Sequence, residues 1–109
     1  MKLSVIISTY NSPEWLEKVL WGYSVQSHSD FEIIIADDGS AEATRQLIDR
    51  MRLETSLPIT HVWQEDRGFR KCRILNLATL ESTSDYLVFT DGDCIPRRDF
   101  LEVHATEAE

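Results

Sequence analysis

No apolar run in this chain approaches the roughly 20 residues that cross a bilayer, and its two cysteines, Cys72 and Cys94, show no CxxC spacing. The first absence excludes a membrane-spanning helix. The second removes any disulfide framework or zinc ribbon, leaving free thiols of a cytosolic protein. Glycine-rich phosphate loops are missing as well: neither GxGxxG nor GxxxxGK[ST] occurs, which excludes dinucleotide and P-loop cradling. Basic residues are in deficit, 11 Lys and Arg against 19 Asp and Glu, for a net charge of -8. That balance argues against nucleic-acid phosphate as a partner and against docking on an anionic membrane. An acidic protein still accepts a phosphate-bearing ligand when a divalent cation stands between the two sets of negative charge. No repeat, linker or low-complexity tract divides the 109 residues, so they read as one domain with a modest core. The short apolar start, Leu3–Ile7, breaks at Ser8-Thr9 without a cleavage site and reads as a strand, not a signal peptide. The expected location is cytoplasmic, with membrane-peripheral placement of a full-length protein left open.

Four apolar runs are present: Leu3–Ile7, Phe31–Ala36, Ile59–Trp63 and Tyr86–Phe89. They are β-branched and aromatic and mostly continuous, the pattern of strands buried on both faces of a parallel sheet. Helical patterns lie between them. Ser12-Pro13 offers an N-cap and a first-turn proline, and Leu16, Val19, Leu20 and Tyr23 then form one apolar stripe. Ser40 is expected to cap a second helix, with Glu42 at its positive end and Leu47, Ile48 and Met51 facing inward. A third helix is expected from about Phe69 to Leu80 and a last one from about Arg98. The order β-α-β-α-β-α-β-α implies an α/β fold: a mainly parallel sheet of about four strands with helices on both faces. Trp15, Trp21 and Trp63 are expected in the core or at an interface, and the scattered His28, His61 and His104 make no ligand spacing.

Ligands of open parallel sheets bind beyond the carboxyl ends of the strands. Those ends read Ser8-Thr9-Tyr10-Asn11, Asp37-Asp38-Gly39-Ser40, Gln64-Glu65-Asp66-Arg67-Gly68 and Thr90-Asp91-Gly92-Asp93. Carboxylates gathered at one edge repel one another and call for a compensating cation, and their hard oxygens suit Mg²⁺ or Mn²⁺. In Asp91-Gly92-Asp93, extended backbone would aim both acids to one side, while the glycine leaves space and permits an unusual backbone angle. Asp-Gly is also a common turn dipeptide, but the strand before it and the other acids at the edge favour a metal site. Asp38 could accept from a base imide or a ribose, and Tyr10 offers a flat face. Arg67, Arg70, Lys71 and Arg73 surround the start of the third helix, either as a solvated face or as help in neutralising a diphosphate.

Together these loops resemble the nucleotide-binding half of the glycosyltransferase family 2 enzymes, with the Rossmann-like GT-A fold. The resemblance rests on Ser4-Val5-Ile6-Ile7-Ser8-Thr9-Tyr10-Asn11, Ile35-Ala36-Asp37-Asp38-Gly39-Ser40 and Asp91-Gly92-Asp93-Cys94-Ile95-Pro96. The segment from Gln64 to Arg70 is similar to one in bacterial polysaccharide-type members, including the chondroitin-polymerase-like group. The resemblance implies that Ser8, Tyr10 and Asp38 hold the base and ribose of a nucleotide-sugar, UDP being favoured. It implies Asp91 near the ribose or the metal, and Asp93 as the direct ligand of Mn²⁺ or Mg²⁺. Many relatives carry an Arg-Asn pair where this chain has Leu75-Asn76, so the cationic contact falls to Arg70 or Arg73. The implied reaction is sugar transfer, with inversion, to a glycan or lipid-linked acceptor. Full members are longer, and their acceptor site and general base lie beyond the metal motif. Residues 1–109 therefore read as a donor-binding domain of a truncated enzyme, with no catalytic base assigned and the acceptor domain absent. The competing reading is an inactive nucleotide- or partner-binding module, open to oligomerisation through Trp21 and the last helix. A phosphoacceptor receiver domain is disfavoured because Tyr10-Asn11 stands where its acidic pair belongs. A sugar-nucleotide pyrophosphorylase is disfavoured because no Gly-rich basic loop follows the first strand.

Overall fold

The computed structural model describes residues 1–68 and 70–108. Phe69, expected to open the third helix, and Glu109 lie outside the described residues. Four strands and four helices alternate along the chain: β1 (Leu3–Thr9), α1 (Pro13–Ser24), β2 (Phe31–Asp37), α2 (Glu42–Thr55), β3 (Ile59–Trp63), α3 (Lys71–Leu80), β4 (Tyr86–Asp91) and α4 (Phe100–Ala108). All pairings are parallel, in the order β3-β2-β1-β4. The chain steps outward from β1 to β2 to β3, then returns through α3 to place β4 on the other flank of β1. The sheet's direction of winding therefore reverses between β1 and β4, and a crevice opens where that happens.

Alternation along each strand divides the apolar side chains between two cores. On one face Leu3, Val5 and Ile7 of β1 pack with Ile33 and Ile35 of β2 against α1, α2 and α4. On the other, Ile6, Ile34 and Ala36 pack against Ile74 and Ala78 of α3. The α1 stripe is buried as its spacing predicts: Leu16, Val19, Leu20 and Tyr23. Leu47, Ile48 and Met51 of α2 are buried with Thr44. Burial on both faces holds for β1 and β2 but not for β3 and β4, which flank the sheet. One helix cannot cover a four-stranded face, so Phe89 on β4 stays 55% exposed beyond the reach of α3.

Several local expectations are corrected. Trp15, Trp21 and Trp63 are 48%, 41% and 51% exposed, which overturns the core half of their expected core-or-interface placement. Ser12 does occupy the N-cap of α1, but its side chain makes no capping bond and its Oγ donates to Tyr10 O. Ser40 does not cap α2: Ala41 holds that position, and Ser40 Oγ accepts from Asn11 N at 2.8 Å. The reason is tertiary, because the loop after β1 lies close enough to take that acceptor first. The last helix begins at Phe100, two residues after the expected Arg98.

Candidate functional site

Loops from all four strand ends border a cleft of about 530 Å³, floored by Ala36 and by Ile74 of α3. Its inner end is the winding reversal, where Ser8 and Asp91 are register partners on β1 and β4. Ser8 Oγ donates to Asp91 Oδ1 at 2.8 Å, and Lys71 Nζ donates to the same oxygen at 2.9 Å. Lys71 first, then Ser8, holds the Asp91 carboxyl below its ordinary range, against a smaller opposing effect of burial. Among the described residues Oδ2 has no hydrogen-bond partner, which leaves it available to a ligand.

The geometry behind Asp91 and Asp93 differs from the sequence expectation. β4 ends at Asp91, and a turn closed by Cys94 N donating to Asp91 O at 3.1 Å carries the chain onward. Strand alternation therefore does not align the two acids; the turn does. Asp91, Asp93 and Cys94 each offer a ligand atom, and these atoms lie within 4.8 Å of one another at an exposed position. Gly92 is needed for close approach, not for a left-handed backbone, since its φ is not among the positive ones. Its N–H donates to Ser8 O at 2.7 Å, and a Cβ there would sit 2.9 Å from that same oxygen.

At the outer end the loops after β1, β2 and β3 hold one another in place. Asn11, at φ 45°, accepts from Ala41 N through Oδ1 at 2.7 Å while its own N–H goes to Ser40. Asparagine tolerates this left-handed backbone better than most residues. Asp37 is fully buried; its oxygens take Ser40 N at 2.9 Å and His61 Nε2 at 2.8 Å, which bolts the turn to β3. Asp38 faces the cleft and is anchored by Gln64 Nε2 at 2.7 Å and Arg70 N at 3.0 Å. Gly39, at φ +91°, lets the Asp66 backbone pass where a Cβ would meet it at 2.5 Å. Tyr10 is half exposed, and its hydroxyl donates to Asp66 Oδ2 at 2.6 Å. That carboxylate pushes the phenol above its ordinary range.

Ser8, Tyr10, Asp38, Asp91 and Asp93 are thus brought to one cleft. The side chain of Arg70 is not: it donates to Glu65 O at 2.8 Å and lines a separate groove with Arg67 and Arg73. Arg73 donates to Gln64 Oε1, away from the cleft. The cation that does line the cleft is Lys71, facing four carboxylates there: Asp38, Asp66, Asp91 and Asp93. A hard divalent ion fits that excess of negative charge and the paired oxygens of Asp91 and Asp93. Sequence reasoning placed Lys71 only within a basic cluster, counted Asp37 and Asp66 only among the strand-end acids, and gave no individual role to Gln64 or His61. Only their convergence in space marks them.

Residues 4–109 match the sequence model described as Glycosyl transferase family 2. The chain belongs to that family. Among its relatives, an uncharacterised glycosyltransferase of Nostoc sp. is 33% identical over 93 residues, covering 85% of this chain and 28% of its own length. Residues 1–349 of TarS from S. aureus, solved in complex with UDP-GlcNAc, superimpose with a TM-score of 0.84 at 26% identity, over 97% of this chain and 30% of that one. The mannosyltransferase PcManGT from Pyrobaculum calidifontis, solved with GDP-Man and Mn²⁺, gives a TM-score of 0.81 at 30% identity, over 91% and 30%. The chain thus spans under a third of the length of these relatives, and its parallel sheet and helices carry the GT-A fold that the family resemblance implied.

Proposed function

We propose that the cleft binds a nucleotide-sugar, with UDP as the favoured nucleotide, as the donor site of an inverting glycosyltransferase. Residues 1–109 form the donor-binding domain in this reading, and a glycan or lipid-linked acceptor supplies the attacking hydroxyl. The observation that carries the proposal is the set of cleft-lining carboxylates opposed by Lys71, with ligand atoms of Asp91 and Asp93 within 4.8 Å. A diphosphate entering such a cleft needs a divalent cation to offset the charge. Mn²⁺ or Mg²⁺ on Asp93, assisted by Asp91 Oδ2, would stabilise charge on the leaving diphosphate.

The chain's own residues orient the donor. Tyr10, held by Asp66, offers its ring to the base; Asp38, held by Gln64 and the Arg70 backbone, offers its remaining lone pairs to the base or ribose. Ser8 and Lys71 fix Asp91, and Arg70 acts through its main chain. No residue is assigned as the general base. The complexes of TarS with UDP-GlcNAc and of PcManGT with GDP-Man and Mn²⁺ support the ligand class.

Calorimetric titration of UDP with and without Mn²⁺ tests the proposal. Affinity is expected to rise clearly with the metal, because the cation offsets the charge of the diphosphate against the cleft carboxylates, and Asp93→Asn should abolish the rise. Equal affinity in both conditions would overturn it. The exposed Trp15 and Trp21 on α1 and Phe89 on β4 favour a second reading, a partner-binding module without transfer activity. Release of sugar from a UDP-sugar clearly above background would rule that module out.

A further inference from the structure

The segment that follows the acidic turn, Ile95 to Leu101, is held by the end of α1 and the residues just after it, in addition to its own turn, where Phe100 N donates to Arg97 O at 3.1 Å. Gln26 uses both ends of its amide for this. Its Nε2 donates to Arg97 O at 2.7 Å and to Gly22 O at 3.2 Å, and its Oε1 accepts from Leu101 N at 3.0 Å. Leu101 N–H belongs to the first turn of α4, where helix donors have no intrahelical partner. A side chain two residues beyond the end of α1 therefore satisfies the start of α4 while gripping the loop that leads into it. Ser27 repeats the grip, its N–H donating to Arg98 O at 2.9 Å and its Oγ to Glu102 at 2.8 Å. One turn earlier Gly22 provides the seat: a Cβ there would meet Pro96 Cδ at 2.8 Å and Pro96 Cγ at 3.1 Å.

We propose that Gln26 and Gly22 are positioning residues for the Asp91–Asp93 metal site, acting through the Ile95–Leu101 segment. The turn carrying Asp93 is exposed and closed by one backbone hydrogen bond, Cys94 N to Asp91 O. Its upstream side is fixed by β4 pairing with β1, and its downstream side is fixed by this clamp. Loosening the clamp lets Asp93 drift relative to Asp91, whose place is set independently by Ser8 and Lys71. The inference rests on the metal reading under Proposed function.

The test measures Mn²⁺ affinity of the UDP complex by electron paramagnetic resonance, beside metal-free UDP affinity by calorimetry, in the 109-residue chain. Gln26→Met keeps size and removes both hydrogen-bonding ends. Gln26→Glu keeps the acceptor for Leu101 N but sets an oxygen against Arg97 O and Gly22 O. Gly22→Ala improves helix propensity yet displaces Pro96, so it separates loop position from helix stability. Each is expected to weaken Mn²⁺ about tenfold or more, as loss of groups that orient metal ligands does, with metal-free UDP affinity unchanged. If Gln26→Met fails to fold, Gln26→Glu and Gly22→Ala decide by the same criterion. Unchanged Mn²⁺ affinity in the folded variants, or equal loss of metal-free UDP binding, would overturn the clamp while leaving the donor-site reading intact. A wild-type chain that binds no Mn²⁺ with UDP overturns both.

Discussion

Asp91 takes Ser8 Oγ and Lys71 Nζ on one oxygen, and among the described residues the other has no partner. Its folded pKa is depressed, chiefly by Lys71. The stability this interaction adds is present above the ordinary aspartate pKa and is lost as pH falls through the depressed value. Lys71→Met should therefore move the Asp91 midpoint upward in a carbon-13 carboxyl titration; an unmoved midpoint would show that Lys71 is not the cause. Gly92→Ala is a second prediction at this scale. Its Cβ would press on a backbone oxygen at 2.9 Å, which cannot swing aside as a side-chain tip could. A cost of about 1–3 kcal/mol is expected from such overpacking, read as a lowered urea midpoint together with weaker Mn²⁺-dependent UDP binding. Gly92 was legible as a special position from Asp91-Gly92-Asp93; the space it leaves is used and the unusual backbone angle is not, and spacing alone does not reveal that Ser8 O is what lies beside it.

Elements place these residues by clasping one another's ends. The loop after β1 and the turn after β2 exchange hydrogen bonds through Asn11 and Ser40, and Asp37 ties that turn to His61 of β3. Asp37→Ala leaves Ser40 N–H and His61 without their acceptor in a buried place. A loss of about 1–3 kcal/mol is expected, measured by denaturant unfolding, and a loss below the error of that measurement would contradict the bolting role. Ile74, fully buried on α3, floors the cleft and fills the smaller core. Ile74→Ala should cost about 2–5 kcal/mol and weaken UDP binding with it, because the two functions share one side chain. Helix positions and inward stripes were legible from periodicity. The N-cap position of α1 at Ser12 was legible too, but that of α2 was not, since Ser40 has a competing tertiary partner that no local pattern contains.

At the scale of the whole molecule, three of the four strand ends deliver carboxylates to one cleft while the chain carries a net charge of -8. A ligand that brings its own divalent cation relieves that repulsion, so binding and folding are linked. UDP with Mn²⁺, each at about 100 times its dissociation constant, should stabilise the fold by about 2.7 kcal/mol or more, seen as a rise in Tm. UDP alone should give a clearly smaller rise; equal shifts would speak against metal in the site. No helix among the described residues is long and apolar enough to cross a membrane, in keeping with the missing apolar run.

The parallel α/β class, the strand-end position of the cleft and the acids Asp38, Asp91 and Asp93 that line it were all readable in the sequence by itself. Periodicity and turn chemistry are local, and in a parallel sheet every strand must end on the same side. The identity of the cation facing Asp91, and which neighbours hold Asp38 and the acidic turn, were decided only by the tertiary structure. Arg70 and Lys71 are adjacent in sequence, yet one side chain lines the outer groove and the other the cleft, because Arg70 stands outside the helix as the N-cap of α3, at φ -129° and ψ 45°, while Lys71 is its first helical residue. Gln26, Gln64 and His61 are ordinary polar residues until the crossovers bring distant loops within hydrogen-bonding reach of them.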